Sequence, residues 1–79
     1  MSKNVGKKQP RLPSNYDLII KMLVEARHET GLSQSQLADV IGCTESLIHK
    51  WEQHKRIPSG FLFMCWLDAL GYDVEVKKR

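Results

Sequence analysis

Two short apolar patterns flank a single glycine in SQSQLADVIGCTESLIHKWEQ, Ser33 to Gln53, and no proline interrupts the chain from Ser33 to Ile57. Each pattern is shorter than the ~12 residues an isolated helix needs in water. The two must therefore be held against each other and against a third element. Ser33 opens the first pattern with Gln36 three residues on, the spacing of a capping box. Leu37, Ala38 and Ile41 form its inward side, and Gly42 stops it. Thr44 caps the second, in which Leu47 or Ile48 joins Trp51 on the inward stripe. Two helices joined by a short turn holding a glycine make a helix-turn-helix. Ala38 supplies the small residue needed where the helices cross. Glu45, Ser46, His49 and Lys50 are left on the outer face of the second helix, polar and free to enter a groove.

The flanking sequence completes a small domain. Ser14 is a candidate cap for a first helix, with Asp17 finishing a box-like start. From Asn15 to Glu29 the residues Ile19, Ile20, Leu23, Val24 and Ala26 recur at helical spacing, and Gly31 ends the run. After the polar stretch Gln53–Pro58, in which Ile57 is expected to tuck back onto the core, Ser59 caps a fourth helix over Gly60 to Leu70, stopped by Gly71. Tyr72 to Val76 alternates apolar and polar, a strand signature. The expected fold is mostly all-α, with four to five helices and one short C-terminal β-strand paired across a dimer. Residues 1–13 form a basic N-terminal arm, 14–71 the helix-turn-helix domain, and 72–79 the strand and a basic tail.

Charge is unevenly spread. Residues 1–13 carry Lys3, Lys7, Lys8 and Arg11 and no acid, residues 77–79 carry three bases, and residues 14–76 have a net charge of −4. Basic ends on an acidic body read either as arms for a polyanion or as solubilising tails. At 79 residues the chain is one small domain with a modest core, to which a partner subunit would add stability. No apolar run of the ~18 residues that mark a membrane span occurs, and no apolar segment follows the basic N-terminus to make a signal peptide. A cytoplasmic location is expected, in which Cys43 and Cys65 are reduced and act as small buried hydrophobes. His49, His54, Cys43 and Cys65 lack zinc-ligand spacing, and no glycine-rich phosphate loop or nucleophile constellation is present. Neither an enzyme, a metal site nor a cofactor is expected.

The run GLSQSQLADVIGCTESLIHKWEQ resembles the Cro and phage-repressor type of helix-turn-helix, a family of bacterial and phage transcription regulators. The matching residues are Gly31 to Gln34, Leu37, Ala38, Ile41, Gly42, Ile48, Trp51, Glu52, Pro58 and Ser59, within a resemblance covering residues 16–71. It implies binding to double-stranded DNA. Gln34 and Thr44 would then hold phosphates, as would His54, Lys55 and Arg56 in the loop after the third helix. Glu45, Ser46 and Lys50 would face base edges, with His49 flanking, and Arg27 would pair with Glu52 as a structural salt bridge. Lys50 suits guanine O6 and N7, and Glu45 suits cytosine N4. Glu45 reads equally well as a helix-start residue favoured by the dipole. Residues 44–56 carry a net charge of only +1, so the basic arm, residues Lys3, Lys7, Lys8 and Arg11, would supply part of the phosphate attraction.

The fourth helix is apolar nearly all round, where a surface helix shows one polar face. Phe61, Leu62 and Cys65 fall where the family places polar residues. Either they bury in the chain's own small core or they form a subunit interface. A lone strand also lacks a partner for its backbone. Tyr72, Val74 and Val76 are therefore expected to join Phe61, Leu62 and Cys65 in a homodimer interface, the strand pairing antiparallel with its copy. The rival is pairing with residues around Val5 of the same chain. Some helix-turn-helix antitoxins resemble this layout, so the alternative function is a protein-interaction module that neutralises a toxin and regulates its own operon. The short basic tails are little to hold a toxin with, which favours a self-contained repressor.

Overall fold

The computed structural model describes residues 15–78. Four helices follow in order: α1 (Tyr16–Thr30), α2 (Gln34–Ile41), α3 (Glu45–Glu52) and α4 (Gly60–Ala69). The expected Ser14 cap lies outside the described residues. Asn15 stands at the N-cap of α1, and its side chain makes no capping bond. α2 starts as a full capping box: the Gln36 amide donates to Ser33 Oγ at 3.0 Å, and the Ser33 amide donates to Gln36 Oε1 at 2.9 Å. Ser59 caps α4, accepting from the Leu62 amide at 3.2 Å.

The helices meet in one core of Ile20, Leu23, Leu37, Ala38, Ile48, Trp51 and Trp66, all nearly free of solvent contact. Ala38 is buried in this core, and α2 packs against both α3 and α4. The Trp51 and Trp66 rings lie 5.3 Å apart and tilted by 35°, which ties α3 to α4. Tyr16 extends this aromatic layer, its ring 6.3 Å from that of Phe63. Aromatic pairs of this kind add stability beyond their burial alone.

Gly42 makes the turn between α2 and α3 possible. It sits in the left-handed region at φ 90°, and the amides of Gly42 and Cys43 both donate to the Ala38 carbonyl. Cys43 and Cys65 are half-buried rather than fully interior, and partial burial pushes the Cys43 thiol above its ordinary range.

One expectation is corrected. Ile57 does not tuck onto the core; it is 62% exposed, and Pro58 takes the buried position instead. No strand is present among the described residues. Tyr72 is tied to α4, its amide donating to the Leu67 carbonyl at 2.9 Å, but beyond it no ladder partner lies alongside among the described residues. The alternation of Tyr72 to Val76 suits a strand, and the described residues offer it no neighbouring strand. Pairing with the region of Val5 falls outside the described residues.

Candidate nucleic-acid interface

α3 is built to present one side. Thr44 Oγ1 accepts from the Leu47 amide at 3.3 Å, and the extended Thr44 backbone turns the chain abruptly into the helix. Glu45 stands in the first turn, where the helix dipole favours an acid. Ile48 and Trp51 are fully buried and fix the rotation of the helix about its axis. Glu45, Ser46 and His49 are consequently exposed and Lys50 half-exposed, all on the outer side.

The loop beyond α3 is shaped by one residue in an unusual conformation. His54 adopts φ 61°, uncommon for a side chain with a Cβ. The chain then folds back, so that the Lys55 and Arg56 amides both donate to the Lys50 carbonyl, at 2.8 and 3.3 Å. Lys55 and Arg56 project into solvent beside the open face of α3. His54 turns the other way. Its ring meets that of Tyr16 edge-on at 6.2 Å, and its Nδ1 lies 3.4 Å from Asp17 Oδ1. Of the three loop residues assigned to phosphates by resemblance, two extend freely and one rests on α1.

Behind α3 lies a buried charged cluster. Arg27 Nε and Nη2 donate to the two oxygens of Glu52, at 2.6 and 3.0 Å, a bidentate pair with both side chains less than a tenth exposed. Arg27 Nη1 also donates to the Leu32 carbonyl at 2.9 Å, bracing the turn between α1 and α2. Gln34, the first residue of α2, completes the cluster: its Nε2 donates to Glu52 Oε1 at 2.9 Å. The sequence reading missed this contact. A glutamine and a glutamate 18 positions apart carry no local signal, and only the packing of α2 on α3 joins them.

The residues assigned to a subunit interface do not share one surface. Phe63 and Leu67 of α4, with Ile19, Met22, Tyr72 and Val74, line an apolar groove of about 270 Å³ between α1, α4 and the C-terminal tail. Phe61 (76% exposed) and half-buried Cys65 lie on the other side of α4, with Leu62 turned partly inward. Helical periodicity imposes this split, since positions 61 and 65 fall nearly opposite 63 and 67. Val76 is almost fully exposed. The basic residues Lys3, Lys7, Lys8 and Arg11 are outside the described residues.

Two short packed helices joined by a tight turn at Gly42, with a polar open side on the second and a basic loop after it, define a helix-turn-helix DNA-binding unit. Comparison with protein families agrees: the helix-turn-helix family matches residues 23–76. The chain therefore belongs to the Cro/phage-repressor type of helix-turn-helix proteins and is a DNA-binding transcription regulator. No curated protein and no solved structure matches it. No helix among the described residues is long and apolar enough to cross a membrane.

Proposed function

We propose that this chain is a sequence-specific transcription repressor that binds double-stranded DNA as a homodimer and reads the major groove with α3. The carrying observation is the division of α3: Ile48 and Trp51 are locked in the core, and Glu45, Ser46, His49 and Lys50 stand on the open side. Lys50 donates to guanine O6 and N7, Glu45 accepts from cytosine N4, Ser46 bonds several bases and so specifies little, and His49 flanks them. Gln34, Thr44, Lys55 and Arg56 hold the phosphates on either side and set the register. His54 joins them by giving up its contact with Asp17. The N-terminal bases supply further phosphate attraction, which the acidic body lacks.

The tail supports a second copy. Its alternating residues have no ladder partner among the described residues, and Val74 borders the apolar groove. Antiparallel pairing of two tails would cover these surfaces and space two α3 helices about 34 Å apart, one turn of duplex. Bound at a promoter in the cytoplasm, such a dimer blocks polymerase by occupancy. Selection of bound duplexes from a random pool tests the reading. A palindromic site with half-sites one turn apart is expected; a pool that stays random after selection overturns it.

A protein-holding role of the antitoxin kind is the second reading. It is favoured by Ile57 and Phe61, which are exposed and lie away from the groove and tail. A second protein recovered at equal stoichiometry from the source cell, with toxicity when produced alone, would favour it over the repressor.

A further inference from the structure

We propose that Glu52 is a positioning residue for DNA binding: its buried carboxylate holds the Gln34 amide in a single orientation, leaving one hydrogen of Nε2 for a DNA phosphate. This rests on the reading of Gln34 as a phosphate contact.

A glutamine amide has a donor end and an acceptor end, and on a free surface it turns easily between them. At Gln34 it does not. Glu52 Oε1 takes Nε2 of Gln34 at 2.9 Å and Nη2 of Arg27 at 3.0 Å. A carboxylate accepts only, so the amide nitrogen must face it. The remaining hydrogen of Nε2 is then directed by the same constraint, at the start of α2, where backbone amides also favour an anion. Arg27 has a separate task. An unneutralised carboxylate beside the DNA backbone would repel it, and the bidentate guanidinium cancels that charge inside the protein. The pair thus adds no net charge to the interface while fixing a neutral donor within it.

The obvious variant, E52A, leaves Arg27 buried without its carboxylate and is expected to unfold. The informative variant is R27M/E52M. It replaces the pair by apolar side chains of similar volume, which folded proteins commonly tolerate. It also removes one base and one acid together, so the long-range attraction to DNA is unchanged. Wild type, Q34A, R27M/E52M and the triple variant are compared for binding to a short mixed-sequence duplex at low salt, with thermal melting to establish that each is folded. Loss of one hydrogen bond in Q34A is expected to weaken binding roughly three- to tenfold. R27M/E52M should weaken it nearly as much, and the triple variant no more than Q34A alone. Folded R27M/E52M binding like wild type overturns the proposal. So does a loss that adds in full to that of Q34A, because the pair would then act through the Leu32 turn or helix packing rather than through Gln34. Should Q34A itself bind like wild type, the phosphate reading of Gln34 fails with it. A loss in Q34A without one in R27M/E52M sinks only the role of Glu52.

Discussion

The Tyr16 hydroxyl is buried with no hydrogen-bond partner among the described residues. A buried polar group left unpaired costs stability, so Tyr16→Phe is expected to be neutral or to stabilise by up to about 1 kcal/mol in thermal melting. Burial, and secondarily the neighbouring Asp17 carboxylate, raise the Tyr16 phenol above its ordinary value of 10.0. The folded state thus prefers the neutral phenol. Its contribution is complete below pH 10 and is lost as the pH climbs through the raised value. Melting temperatures above pH 10 should therefore fall less steeply in Tyr16→Phe than in wild type; equal slopes would show that other groups govern alkaline unfolding. Lys50 is the residue whose removal should alter preference. Lys50→Ala is expected to cost about 1–3 kcal/mol at a selected site and to relax discrimination there. An unchanged site preference would remove Lys50 from the set of readers.

At the level of elements, the turns carry the testable claims. A Cβ at Gly42 would meet nothing within 4 Å, yet its φ of 90° is strained for any L side chain. Gly42→Ala is therefore expected to destabilise by ~1–2 kcal/mol from backbone conformation alone. Gly60 is equally uncrowded but lacks that backbone strain, and it opens α4. Gly60→Ala should stabilise by ~0.5–1 kcal/mol. Denaturant melts of the two variants shifting in the same direction would contradict this account. These elements were legible because their signals are local: Ser33 with Gln36, Thr44 before an apolar run, a glycine after each of the first two helices. What stayed hidden depended on distant partners. The left-handed turn at His54 comes without a glycine to announce it. Ile57 is exposed and Pro58 buried because loop geometry, not hydrophobicity, decides which of the two is covered. The Arg27–Glu52 pair follows from family resemblance, since a separation of 25 residues suggests nothing by itself, and no local signal marks the link to Gln34.

Across the whole molecule, charge and apolar surface divide the labour. The described body is acidic apart from a few exposed bases, of which Lys55 and Arg56 lie beside α3. Substituting either by alanine should weaken binding to all duplexes alike and reduce the slope of affinity against salt by about one ion. A loss confined to one sequence would make that residue a reader instead. Sedimentation addresses the apolar surface. A species of 9.1 kDa at micromolar concentration would exclude the proposed dimer, and twice that mass would support it. The division of α3 has one more consequence. The side chains that hold the helix in place and those that face outward are different residues, with none shared. The outward four can be exchanged wholesale while the scaffold stays intact, so a library randomised at positions 45, 46, 49 and 50 offers a route to proteins of new target preference on an unaltered frame.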